Sequence, residues 1–142
     1  MAAPASDLTI TQTQVLHDDV ANLDHGVAGE AFGFGVPVYR KASDNKIYQA
    51  DADASLEAAG AIGISQSAPV AAGQACTWQK LGSCTLGAGA AMTKGLAYGV
   101  SRTKGKICLV SDCASLDWVT ELGVASSASV LALQIFRSGV QV

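Results

Sequence analysis

A chain of 142 residues is sized for one domain, and it can bury roughly two-thirds of the surface it exposes when unfolded. Its residues are 49% hydrophobic and 15% charged, against about 25% charged in a typical domain; a lone surface needs more charge, so some surface is expected to be covered by other protein. The net charge of −3 comes with no basic run, which argues against a phosphate-tracking nucleic-acid surface. Met1–Asp7 has neither a basic n-region nor an apolar h-region, and no stretch nears the roughly 20 apolar residues of a membrane span. The expectation is a soluble protein with no membrane partner, kept in the cytoplasm or released without secretion.

Residues 1–6 are small and include Pro4, as in a tail without fixed structure. Leu8, Thr9, Ile10, Thr11, Gln12, Thr13, Gln14 and Val15 nearly alternate and are rich in β-branched side chains, which predicts an extended arm or strand. Residues 17–25 form a polar connector, so residues 1–25 read as arm and connector and residues 26–142 as a single β domain. Glycines at 26, 29, 33 and 35, followed by Pro37, favour turns and irregular strand.

From there the pattern is a hairpin of strands 36–39 and 46–49 around the turn 43–46. One or two helical turns are expected within 51–59, with Asp53 as N-cap and Gly60 as stop. Strands at 61–64 and 75–80 follow. The order then repeats: strand 96–100, a turn with Gly105 where Asn45 stood, strand 106–110, a corner at 112–117, and strand 118–125. In that strand Trp118, Thr120, Leu122 and Val124 are placed on one face. The last strand, Val130 to Phe136, is apolar on both faces, with Leu131, Leu133 and Ile135 opposite Val130, Ala132 and Phe136. It belongs in the core, or half of it faces another subunit.

The recurrence is a true repeat. Ala54-Ser-Leu-Glu-Ala-Ala-Gly-Ala-Ile-Gly63 returns as Ala114-Ser-Leu-Asp-Trp-Val-Thr-Glu-Leu-Gly123, 60 residues later and without a gap. At that offset 14 of the 46 positions from 29 to 74 are identical to positions 89 to 134. Among them are Gly35/Gly95, Ile47/Ile107 and Gly63/Gly123, and further on Val70/Val130, Ala72/Ala132 and Gln74/Gln134. Two copies of one supersecondary unit within one domain, built of many short strands with little helix, predict an all-β sandwich or barrel-like fold.

No constellation for chemistry stands out. His17, Asp18, Asp19, Asp24 and His25 carry metal-ligating groups, but no strand or helix spacing aims them together, and a solvated loop is the better reading. Asp51 and Asp53 lack the rest of a calcium loop and suit turn and cap hydrogen bonds. Cys76, Cys84, Cys108 and Cys113 match no common zinc spacing; small buried hydrophobes are favoured over a disulfide. Trp78 and Trp118 are better core or interface fillers than sugar platforms. Neither histidine is tied to a cysteine, and no nucleophile, phosphate-loop or zinc-protease motif occurs. The expectation is a non-enzyme with no cofactor and no metal.

Several runs resemble the small capsid decoration, or cement, proteins of tailed bacteriophages. They are Gly29-Glu-Ala31 through Gly35-Val-Pro-Val-Tyr39, Ile47-Tyr-Gln-Ala-Asp-Ala-Asp53, Ala61-Ile-Gly-Ile-Ser65, Ala71-Ala-Gly-Gln74, Gly95-Leu-Ala-Tyr98, Asp117-Trp-Val-Thr-Glu-Leu-Gly-Val-Ala125 and Leu133-Gln-Ile-Phe-Arg-Ser-Gly-Val140. The likeness spans about residues 26–140 and lies in the order and spacing of Gly- and Ala-rich runs. It implies a β-rich virion protein, often trimeric, bound to the outside of the expanded head and stabilising it by bridging major capsid protein subunits. It also implies an N-terminal arm on the capsid protein, for which Leu8 to Val15 would add a strand to a capsid sheet. The four cysteines and the tryptophan pair are not recognisable features of that family. The alternative is a tail or baseplate subunit, or a carbohydrate-binding module for the host surface.

Overall fold

The computed structural model describes residues 7–113 and 116–141. The expected tail at residues 1–6, and Ala114 and Ser115 of the repeated phrase, lie outside the described residues. The protein is all-β, with eleven strands in two antiparallel sheets and one short helix among the described residues. The strands are β1 (Leu16–His17), β2 (Leu23–Val27), β3 (Pro37–Arg40), β4 (Ile47–Gln49), β5 (Gly63–Ser65), β6 (Ala75–Gln79), β7 (Leu81–Thr85), β8 (Ala97–Val100), β9 (Ile107–Leu109), β10 (Trp118–Ala125) and β11 (Val130–Gln141); the helix α1 is Leu56–Ala59. One sheet runs β2-β6-β5-β3-β4, the other β1-β7-β11-β10-β8-β9.

These orders are the repeat made visible. Strands β2, β6, β5, β3 and β4 match β7, β11, β10, β8 and β9, and β1 is an addition to the second sheet. The pairings agree to the residue at an offset of 60. Val38 faces Gln49 as Tyr98 faces Leu109, and Pro37 faces Ile64 as Ala97 faces Val124. The substitution in the turn is physical as well: Asn45 and Gly105 both hold positive φ, of 60° and 76°, which these two residue types tolerate best. Gly63 and Gly123 recur for a different reason. A Cβ on Gly63 would stand 2.5 Å from the Gln79 carbonyl oxygen, and one on Gly123 would stand closer still to that of Ala132. Each neighbouring strand is drawn in against a bare backbone.

The offset ends at Ser65 and Ala125. Residues 66–74 connect β5 to β6, whereas residues 126–129 suffice between β10 and β11. Ser65 therefore pairs with Trp78 where Ala125 pairs with Leu131. The identities Val70/Val130, Ala72/Ala132 and Gln74/Gln134 match a loop with a strand and are not structural equivalents. The first unit instead begins earlier than its identities, at Leu23.

The repeated phrase itself folds in two ways. Ser55, not Asp53, caps α1: its Oγ accepts the Ala58 N–H at 3.0 Å, and Gly60 ends the helix. In the second unit Trp118-Val-Thr replaces Ala58-Ala-Gly60, and the chain enters β10 directly. Bulky and β-branched side chains favour the strand.

The main core gathers Cys84, Tyr98, Val100, Ile107, Leu122, Leu131 and Leu133 of the six-stranded sheet, with Leu86 just beyond β7, against Ile64 of the five-stranded sheet and Ala50, Ala52 and Ala61 of its connections. A second core inside the first unit gathers Phe32, Val38, Ile47, Cys76 and Trp78. Val124 does not join its expected face. Glu121 pairs with Gly99 and Gly123 with Tyr98, so Leu122 is one residue extra on β10, and this bulge turns Val124 outward.

The N-terminal segment corrects two expectations. Leu16–His17 is a strand of the six-stranded sheet and Leu23–Val27 one of the five-stranded sheet, so strand pairing starts ahead of Gly26, and the connector is a loop only between those two strands. The segment Leu8–Val15 is also not a free strand. Leu8 and Ile10 pack on the main core, and the Gln12 and Gln14 side chains accept the N–H groups of Phe34 and Ala88. The Leu8 N–H donates to the Ile107 carbonyl at 2.7 Å. In the first unit the matching Ile47 carbonyl is met at 2.7 Å by Gly29, which follows β2 directly. The second unit has no such closure of its own, and the N-terminal segment supplies it.

Two outcomes are expected. Gly63→Ala and Gly123→Ala should each lower unfolding free energy by about 1–3 kcal/mol, as overpacking does, while Gly73→Ala, with nothing within 4 Å of the added carbon, should cost only the strain of its φ of +91°. Urea unfolding of the three variants compares them. Leu8→Ala with Ile10→Ala should destabilise the domain by about 1–2 kcal/mol per half-buried side chain; an unchanged midpoint would mean that the segment is not held as described.

Candidate docking surface

The outward face of the six-stranded sheet can be read from its cross-strand pairs. Leu16, Thr85 and Val130 form one row, and Ser83, Ala132, Val124 and Ala97 form the next. Leu81 with Gln134, and Phe136 with Glu121, extend the face along β11. Phe136 is 64% exposed, Leu16 62% and Leu81 51%. Glu121 is the one charged residue among these positions, and it is half-buried. Such a face on a charge-poor molecule has the composition of an interface rather than of a wetted sheet.

The sequence placed Val130, Leu131, Leu133, Ile135 and Phe136 in one strand that is apolar on both faces, and the structure buries one of those faces and exposes the other. Leu131 and Leu133 are core, Ile135 is packed against it, and Val130 and Phe136 line the outer face. The residues of the N-terminal segment do not converge on that face; they lie over the β9 edge and the seam of the second unit.

At the junction of the two units two hollows, of about 520 and 420 Å3, share Ile62 and Arg137. Leu56, Ile62, Trp118, Val119, Leu81 and Ile135 give an apolar floor. Arg40, Lys80 and Arg137 stand around it, with Glu57 as the carboxylate of the lining. The side chains come from six places in the chain, so spacing in the sequence carried no signal of their convergence.

Of the candidate metal ligands, Asp18 and Asp19 are engaged by hydrogen bonds, whereas the buried Nδ1 of His17 has no hydrogen-bond partner. Asp18 joins the β1–β2 corner to β6 and β7: it accepts the Ser83 N–H at 2.9 Å and the Gln79 amide at 3.2 Å. The Ser83 bond, followed by that from Asn22, holds its carboxyl below the usual range. Asp19 caps the turn Val20–Asn22 through the Ala21 N–H. Among the described residues no group of three or more His, Cys, Asp or Glu is placed to hold a metal ion. All four cysteines are free thiols; burial pushes Cys84 and Cys108 up to about 12, so neither is a nucleophile near neutral pH. Trp78 is buried under the Arg40 guanidinium, 5.6 Å from the ring centroid, whereas Trp118 lines the hollow. Asp53 forms an ion pair with Arg102 at 3.6 Å, and so does the buried Asp117.

No protein-family model matches the chain, and no curated protein and no solved structure is detectably similar to it.

Asp51 supplies a pH test of the unit junction. Burial, and then its hydrogen bond with Asp53, raise its carboxyl from 3.8 to about 6. The folded state thus binds this proton more tightly than the unfolded state, so the contribution of Asp51 to stability declines as pH rises from about 4 to about 6. Asp51→Asn should melt like the wild type below that window and increasingly above it on passing through. Thermal midpoints from pH 4 to 7 check this, and a constant difference would remove the argument.

Proposed function

We propose that this protein is a structural subunit of a tailed-phage head, seated on the outside of the expanded capsid by the outer face of its six-stranded sheet. The observation that carries the reading is that face, with Leu16, Leu81, Val124, Val130 and Phe136 outward and a single half-buried carboxylate. The ordered runs that resemble capsid decoration proteins support it independently. The contact is assigned to the sheet face, because Leu8–Val15 is engaged with its own domain.

The work done is mechanical. A subunit that spans several capsid subunits adds buried area at each junction, and the effect multiplies over many copies. Affinity for the expanded lattice alone shifts the shell toward that lattice by linkage. Self-association, with trimers as the resemblance implies, would set several such faces on one symmetry axis.

Co-sedimentation with expanded capsids that lack the protein, and with unexpanded procapsids, tests the reading. Wild-type protein should bind the expanded form saturably and at a fixed ratio to the capsid protein. Phe136→Glu with Val124→Glu should remain folded, since both side chains are exposed, and should lose binding by at least about a hundredfold. Equal binding by that variant would withdraw the sheet face, and no binding to either shell would withdraw the capsid reading in favour of a tail or glycan-binding role.

A further inference from the structure

The hollow at the unit junction carries chemistry that the sheet face does not. The molecule is acidic overall, with nine Lys and Arg against twelve Asp and Glu. Yet three of those nine cations, Arg40, Lys80 and Arg137, surround one apolar floor that contains a single carboxylate, Glu57. None of the three forms an ion pair among the described residues; the ion pairs there belong to Arg102 and Lys104. Glu57 is engaged by the Ala42 N–H at 3.1 Å. Arg40 is held in place, its guanidinium over the Trp78 ring and its Nη1 donating to Asn45 at 3.4 Å. The Arg137 stem crosses Gly60, where an added Cβ would be 3.3 Å from its Cδ.

We propose that this hollow is a docking groove for an extended, acidic segment of another polypeptide in which carboxylates alternate with large apolar side chains. The length of the site favours a peptide over a small anion. Two contiguous hollows open around Ile62 and Arg137, and a phosphate would leave the floor of Leu56, Trp118, Val119 and Ile135 uncovered. An extended chain sends alternate side chains to opposite sides at about 3.3 Å per residue. One set covers the floor while the other reaches the cations at the rim. Arginine binds such carboxylates in a planar, two-pronged geometry. The inference does not depend on the capsid reading, since any protein with such a segment would fit.

The probe is a dye-labelled, acetylated and amidated octapeptide of alternating Leu and Glu, titrated by fluorescence anisotropy into the full-length protein. Its counterpart with Lys for every Glu, and inorganic phosphate as competitor, complete the set. The acidic peptide should bind, and the binding should weaken as salt is raised. Lys80→Gln with Arg137→Gln, both exposed and therefore neutral for folding, should lose about tenfold or more, which corresponds to about 1.4 kcal/mol. Leu81 and Gln134 belong to both surfaces, but Phe136 and Val124 line neither hollow, so Phe136→Glu with Val124→Glu should leave peptide binding intact while removing the sheet-face contact. Equal affinity for the lysine peptide, an unchanged constant in the Lys80/Arg137 variant, or displacement by millimolar phosphate would each overturn the proposal.

Discussion

Two backbone carbonyls, those of Ile47 and Ile107, govern how this chain is wound. Each belongs to an edge strand of a sandwich, where an unpaired row of polar backbone groups invites another chain. In the first unit the chain leaves β2 and returns at once, so that Gly29 meets Ile47. In the second unit the residue at the equivalent position, Gly89, lies instead against Thr9 and Thr11, and Leu8 takes the carbonyl. The Leu8 segment therefore closes the second unit through a carbonyl 99 residues further along the chain. This long-range closure ties the N-terminal segment to its own domain.

That arrangement explains which parts of the fold were legible. Strand positions were, because alternation, turn residues and the repeat all report local geometry. Trp118–Ala125 coincides with β10, and the hairpin strands are placed within a residue of β3 and β4. The fate of Leu8–Val15 was not legible, since a β-branched run is equally suited to an arm and to a strap, and only the missing closure of the second unit distinguishes them. Identities beyond Ser65 were misleading for a related reason. Ala and Gly are common enough here that matches continue in a stretch where the first unit has a longer loop. Among the glycines that mark equivalent positions, Gly63 and Gly123 are the pair with a backbone carbonyl in the place of a side chain.

The candidate sites were legible to different degrees. The two-faced hydrophobicity of Val130–Phe136 showed in the sequence, and it is why one strand serves both core and surface. The bulge at Leu122, which turns Val124 outward to join that surface, is signalled only by Gly123, an isolated glycine within a strand pattern that fits a bulge and a close backbone approach alike. The groove is the limiting case. Arg40, Glu57, Lys80, Trp118 and Arg137 come together through the packing of two units, and nothing in their spacing announces it.

Charge placement ties these features together. With few charges available, the molecule puts several on the hairpin ends, at Arg40, Lys41, Asp44 and Lys46 in the first unit and at Arg102, Lys104 and Lys106 in the second. Arg102 and Lys104 are consumed internally by Asp53, Asp117 and Glu30. A sandwich that met water on every side would need the remainder spread over its faces. Here one whole sheet face has almost none, and three cations gather around an apolar hollow. Both departures are costly in a solitary particle, because exposed apolar area drives non-specific association and unpaired like charges repel one another. Both are relieved by the same event, the arrival of another protein, and this shared remedy is the physical reason for reading the chain as part of an assembly.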